Sequence, residues 1–321
     1  MSWQQEMAEG FADSAELLTH LGLDPALADA DAQRSFATRV PRHFVSLMKS
    51  DLRDPLLRQV WAHSDENLTA PGFSDDPLQE QSAPAPGVLH KYASRVLLIL
   101  RGGCAVNCRY CFRRAFPYQQ LTLSRRDQQQ ALDYIAADPQ INEVILSGGD
   151  PLMADDAALS DLIQSLAHIP HLIRVRIHTR LPVVLPNRLT PELFTALTQT
   201  RLRPVLSLHS NHANEISPLL MDKLAPFVSA MPVLNQSVLL KGVNDDASVL
   251  AQLSERLFQA RITPYYLFLL DRVNGAVHFE VDEEAGYAVY RDLQARLPGF
   301  LVPKLAREIP DRPSKTLVVK Q

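Results

Sequence analysis

From residue 95 onward, short runs rich in Val, Ile and Leu alternate with longer stretches whose apolar residues recur at helical spacing. Few folds can use that alternation. Each run is too short for a buried helix and reads as a strand covered on both faces, while a helix between two such strands lets them run parallel. The strands expected are Arg95–Leu100, Glu143–Ser147, Arg174–Thr179, Pro204–His209, Val233–Leu240 and Pro264–Asp271. Helices expected between them include Arg125–Ala137, Asp156–Ile169, Ala213–Val228 and Ala247–Ala260. The fold class that follows is α/β, βα units around a parallel sheet, and six such repeats resemble a partial (βα)6 TIM-like barrel, open where an eight-fold barrel would close. Residues 1–94 read instead as helical pieces broken by Pro41, Pro55, Pro71, Pro77, Pro84 and Pro86, with Ser82-Ala-Pro-Ala-Pro-Gly87 as a loop or linker. The organisation expected is thus an N-terminal helical extension packed on the barrel (1–94), the barrel (95–280), and a C-terminal helix and tail (281–321).

In such barrels, chemistry gathers at the carboxyl ends of the strands. The first strand leads into Arg101-Gly-Gly-Cys-Ala-Val-Asn-Cys-Arg-Tyr-Cys-Phe-Arg-Arg114, which contains Cys104, Cys108 and Cys111, the three cysteines of the chain. An odd set this tightly grouped cannot close into disulfides, and three thiolates are one ligand short of a closed tetrahedral site. A cubane iron–sulfur cluster on three thiolates would keep one iron open to an outside ligand. A zinc site completed by a histidine, or thiols that are simply reduced and buried, would use the same residues. The second strand leads into Ser147-Gly-Gly-Asp-Pro-Leu152, where glycine lets the backbone come close to a ligand. The third leads to His178-Thr-Arg180 and the fourth to His209-Ser-Asn-His212; the fifth carries Asn235-Gln-Ser237, and the sixth stops at Asp271. His178, His209 and His212 fit packing roles and ligand contacts equally well.

Composition removes other classes. With 46% hydrophobic and 21% charged residues and a net charge of −4, the chain has ordinary globular usage and lacks the basic runs expected of a nucleic-acid binder. No window is apolar enough for a membrane span, and the first residues lack the order of a secretory signal, so a cytoplasmic protein is expected. Free thiols suit that reducing compartment.

The C-x3-C-x2-C spacing resembles the signature of radical S-adenosylmethionine (SAM) enzymes, in which SAM takes the open iron of a [4Fe-4S] cluster, and the βα repeats resemble that superfamily's partial barrel. The cysteine run, Ser147–Leu152, Arg180-Leu-Pro-Val-Val-Leu-Pro186, Asn235-Gln-Ser-Val-Leu-Leu240 and His278-Phe279 together resemble the lysine 2,3-aminomutase family, over about His90 to Lys315. Arg39-Val-Pro41 and Asp54-Pro-Leu-Leu-Arg-Gln-Val60 further resemble its short bacterial branch. That branch makes β-lysine, the R enantiomer by family precedent, which a lysyl-tRNA-synthetase-like ligase attaches to translation elongation factor P. The longer branch carries a further zinc-binding cysteine set, for which this chain has no cysteine left.

The resemblance implies L-lysine as substrate, an external electron donor, and three cofactors: the cluster, SAM and pyridoxal 5′-phosphate (PLP). Ser147, Gly148, Gly149 and Asp150 correspond to the SAM-binding segment. Lys315, in Pro313-Ser-Lys-Thr316, corresponds to the PLP lysine, with Lys304 and Lys320 as fallbacks; Asp311-Arg-Pro-Ser stands where the family is glycine-rich. Lys91, Tyr92 and Arg95, in His90-Lys91-Tyr92-Ala-Ser-Arg95, correspond to the phosphate grip, with lysine where arginine is usual, and Gln236 to a further cofactor contact. Arg113 corresponds to the clamp on the substrate carboxylate, while Arg109 and Arg114 are expected to be solvated or paired with the protein's own acids. Asp271 and Glu308 correspond to the acids around the substrate ammonium; two acids favour a cationic substrate, arginine or ornithine being alternatives to lysine. A radical SAM enzyme without PLP would not need Lys315, and a zinc-holding module would leave Ser147-Gly-Gly149 without a role.

Overall fold

The computed structural model describes residues 2–80, 83–115, 124–310 and 312–319. Lys320, Ser82 of the linker and Asp311 lie outside the described residues. Among the described residues one nine-stranded sheet organises the fold, with strands in chain order: β1 (Val88–Tyr92), β2 (Arg95–Arg101), β3 (Glu143–Gly148), β4 (Arg174–Thr179), β5 (Arg203–His209), β6 (Val233–Val238), β7 (Thr263–Phe268), β8 (Lys304–Arg307) and β9 (Thr316–Leu317). β2 to β8 are parallel; β1 pairs antiparallel with β2 and β9 with β8.

All six expected strands are present, with ends shifted by a few residues. β7 stops at Phe268, so Asp271 lies in the loop beyond it and not at a strand terminus. A seventh parallel strand, β8, went unread, because Lys-Leu-Ala-Arg carries little β-branched signal and forms only by pairing with Tyr266–Phe268. His90-Lys91-Tyr92 does not merely precede the barrel but belongs to β1, in a hairpin whose Tyr92 faces Arg95. The helix expected over Ala213–Val228 is divided. A short turn, Ala213–Glu215, is followed by a helix over Pro218–Ala230, started by Pro218 and capped by the Ser217 hydroxyl, which accepts from the Leu220 amide at 3.1 Å.

The sheet separates apolar from polar. Val175, Ile177, Leu206, Leu208 and Val233 point outward into one core shared with the surrounding helices. The same core takes Trp3, Leu17, Leu18, Phe44, Leu57 and Val60, so the first 60 residues pack onto the barrel's outside. On the opposite face of the strands, neighbours in register place Arg176, His178, Ser207, His209, Gln236 and Tyr266 inward. A closed barrel fills its interior with branched apolar layers. Here the interior is polar, and Arg176 Nε, His178 Nε2, Ser207 Oγ and Gln236 Nε2 are buried there without a hydrogen-bond partner in the protein. Such atoms are costly unless a ligand satisfies them.

The sheet's margins meet through side chains. Tyr92, at one edge, donates its hydroxyl to Glu308 Oε1 at 3.0 Å, just past β8 near the other edge. No helix of the described residues is long and apolar enough to cross a membrane.

Candidate active site

The cysteine loop follows β2 and is held by backbone contacts on both flanks. On one side the N-terminal segment grips it: Arg39 donates to the Cys104 carbonyl at 3.1 Å, and the amides of Asn107 and Arg109 donate to the carbonyls of Arg39 and Gln59. On the other, the Gly149 amide donates to the Arg101 carbonyl at 2.8 Å and the Asp150 amide to the Gly103 carbonyl at 2.9 Å. The glycines therefore serve a purpose the sequence did not suggest. A Cβ on Gly149 would lie 2.5 Å from the Gly103 carbonyl oxygen, and one on Gly148, which has φ +122°, would lie 2.7 Å from that of Arg101. They let the two loops touch, whatever else they admit. Asp150 is likewise an internal brace. Its carboxylate accepts from the Thr179 hydroxyl and from the amides of Leu152, Arg180 and Leu181. With both oxygens so engaged it is a poor candidate for a SAM contact.

Cys104, Cys108 and Cys111 are free and partly buried. Burial pushes the thiols of Cys104 and Cys111 up, Cys111 to about 11 with further help from Cys108, so loading iron must displace their protons. Among the described residues no group of three or more His, Cys, Asp or Glu is arranged to hold a single metal ion. A cubane instead takes each thiolate on a different iron, and the three-thiolate donor set fits it. Arg180, unremarked in the sequence beyond its motif, donates to Cys108 Sγ at 2.9 Å and to the Tyr110 hydroxyl, while its other terminal nitrogen donates to Gln59 and Glu215. Arg109 and Arg114 both pair with Glu66, as expected of arginines that serve the protein's own acids.

The other half of the site gathers around Lys315. Pairing of Arg307 with Thr316 in the β8–β9 hairpin sets the next residues, Glu308 and Lys315, across from each other, and Lys315 Nζ lies 2.6 Å from Glu308 Oε2. The ammonium also lies 4.8 Å from the centre of the Phe268 ring, on the inward face of β7. Burial pushes the Glu308 carboxyl up, but Lys315, Lys91 and the Tyr92 hydroxyl outweigh it and hold the group below its ordinary range. Asp271 behaves oppositely: burial, then the charge of Glu308, raises it to about 7, only partly relieved by Lys315 and Lys91. Lys304, at the far end of β8, is exposed beneath Tyr265 and is not part of this group.

Between the two halves stand Arg113 and His178. Arg113 is buried; Nε donates to Glu80 at 2.6 Å, and Nη1 lies 3.4 Å from Ser147 Oγ and the Gly148 carbonyl. Burial, reinforced by Arg176, Lys315 and Arg113, pushes His178 far below its usual value, so the ring is neutral. His209, also neutral, packs edge-on against Tyr110. His212 caps the short turn that follows it and belongs to the scaffold. Arg95 stacks on the Tyr92 ring at 4.1 Å, and Lys91 pairs with Glu80 at 3.0 Å. Glu66, Glu80 and Glu215, all buried, went unread, because nothing in the sequence around an isolated glutamate reveals its partners.

A model of the radical SAM superfamily matches residues 98–214. The L-lysine 2,3-aminomutase of Escherichia coli (strain K12) is 49% identical over 98% of this chain and 93% of its own length. The chain belongs to the lysine 2,3-aminomutase family. The Haemophilus influenzae L-lysine 2,3-aminomutase is also 49% identical, over 98% of this chain and 95% of its own, and that of Clostridium subterminale 35%, over 99% and 77%. Membership in the lysine 2,3-aminomutase family implies a [4Fe-4S] cluster, SAM and PLP. The residues present fit all three: three free thiols for the cluster, a primary amine beside cationic and hydroxyl donors for PLP, and buried side-chain nitrogens without a protein partner on β4 and β6.

Proposed function

We propose that this protein is a radical SAM, PLP-dependent aminomutase that converts L-lysine to β-lysine. One observation carries the reading: Lys315 stands at the barrel mouth within an acid pair, Glu308 and Asp271, on the same interior as Arg113 and the cysteine loop. Cys104, Cys108 and Cys111 would hold the cluster, the Ser147–Gly149 backbone would meet SAM, and Lys91, Tyr92, Arg95 and Gln236 would hold PLP. When bound, the cluster with SAM would supply radical hydrogen-transfer chemistry and PLP a conjugated system for the migrating nitrogen.

The side chains have distinct tasks. Arg113 receives the substrate carboxylate on a planar fork. Asp271 and Glu308 receive the side-chain ammonium, which would be too costly to bury unpaired. Glu308 also pairs with the Lys315 ammonium at 2.6 Å and so fixes where that amine stands. The apolar shell outside the strands keeps water from the interior.

We further propose that the product is the R enantiomer, that it supplies the group a lysyl-tRNA-synthetase-like ligase attaches to elongation factor P, and that the protein works in the cytoplasm with an external electron donor. The supporting facts are the near-full-length likeness to relatives of similar size and the three free thiols. In this reading residues 1–94 clamp the cysteine loop, 95–280 carry the cluster and SAM, and 281–321 bring the PLP lysine. The test is an anaerobic visible spectrum of reconstituted wild type beside Lys315→Ala, followed by chiral analysis of products from lysine, arginine and ornithine. Iron–sulfur absorption with a PLP band that disappears in the variant, and turnover of lysine alone, is the expected result. Cluster absorption with no lysine-dependent PLP band would overturn the aminomutase reading.

A further inference from the structure

Glu80 lies in the segment before the barrel, 11 residues from Lys91 and 33 from Arg113, and is 6% exposed. Its two carboxylate oxygens go to two different cations. Oε2 accepts from Arg113 Nε at 2.6 Å, and Oε1 accepts from Lys91 Nζ at 3.0 Å. In the function proposed above, on which this inference rests, Arg113 receives the substrate carboxylate and Lys91 the PLP phosphate. These anions end up in one covalently joined molecule, so the distance between the two cations must match the distance between them.

We propose that Glu80 is a positioning residue that fixes Arg113 and Lys91 at that spacing and so couples the carboxylate and phosphate subsites. Geometry and simple charge oppose each other here. As a mere negative charge, Glu80 would weaken both anion sites, and removing it would tighten them. As a spacer, it orients the Arg113 fork through Nε, and losing it would let both side chains swing among rotamers, weakening both sites. Its near-complete burial and divided oxygens favour the spacer.

The test compares ligands with and without the anion. Reconstituted Glu80→Gln and Glu80→Asp proteins are titrated with PLP and with pyridoxal. The PLP-loaded proteins are then titrated with L-lysine and with cadaverine, which lacks the carboxylate, following the cofactor's visible absorption. The expected result in both variants is about tenfold weaker binding of PLP and of lysine, with pyridoxal and cadaverine within twofold of wild type, and KM for lysine rising more than kcat falls. Aspartate keeps the charge but is one methylene shorter, so a defect in it separates spacing from charge. Equal losses for all four ligands would make Glu80 merely structural, and unchanged or tighter PLP and lysine binding would make it a charge alone; either overturns the proposal. Arg113→Gln is measured alongside. If that variant still prefers lysine to cadaverine as wild type does, the assignment of Arg113 is wrong and the inference falls with it, which separates that failure from one of Glu80.

Discussion

The cysteine loop and the Lys315 cluster lie to either side of Arg113 and His178, yet they are built in opposite ways. The first is a run of consecutive residues hung from one strand, and its three ligands stay together however the rest of the chain folds. The second draws Glu80, Lys91 and Tyr92 from one sheet margin and Asp271, Glu308 and Lys315 from the other, and exists only when the sheet curves enough for Tyr92 to reach Glu308. The local site brings its ligands together by sequence and needs its neighbours only to brace the loop, whereas the non-local one depends on the whole barrel, and a defect in any member should spread to the others.

That contrast can be broken by experiment. The largest effect is expected from Cys108→Ser, which should reduce bound iron to background and abolish SAM cleavage while PLP absorption survives; loss of the PLP band as well would mean the two halves are not separable. Glu308→Gln removes the partner of Lys315 and half of the ammonium pocket. We expect KM for lysine to rise about 10- to 100-fold, with iron content unchanged, as measured by steady-state kinetics and iron analysis. Gly149→Ala forces a Cβ against the Gly103 carbonyl and should cost about 1–3 kcal/mol in denaturant unfolding, with cluster loading impaired more than PLP binding.

The pH dependence sharpens the picture further. Asp271, with its carboxyl near 7, must ionise to pair with the substrate ammonium, so lysine affinity should improve as pH rises from 6 to 8, by at most about tenfold per unit below 7. Stability runs the other way. A carboxyl raised on folding favours the fold below its unfolded value near 3.8 and loses that contribution as pH rises through about 7. Asp271→Asn should therefore raise the ligand-free melting temperature at pH 8, by about 2–4 °C, and hardly at pH 4. The smallest effect is expected from Tyr92→Phe, which removes one hydrogen bond across the margins and should raise KM for lysine about fivefold.

Reading the sequence recovered six parallel strands because each is an apolar run covered on both faces, a pattern set by burial alone. It missed β8, whose four residues are strand only by virtue of their neighbour, and it ran the helix at Ala213 straight through Pro218. It did not foresee that Gly148 and Gly149 also let the two loops press together, or that the Asp150 carboxylate braces the loop after β4.

What the chain determined by itself was therefore whatever local covalent order or periodicity encodes: a parallel α/β barrel, a three-thiolate loop after its first parallel strand, and a lysine near the end with an acid a few residues before it. What only the tertiary structure decided was which charges meet. Lys315 faces Glu308 because a hairpin register puts them there, Arg113 faces Glu80 because the N-terminal segment folds back over the barrel, and Asp271 differs from Glu308 because the first loses water beside a like charge while the second pairs directly with a cation. The strength of a charge pair depends on distance and on exclusion of water, and neither is written in the order of residues.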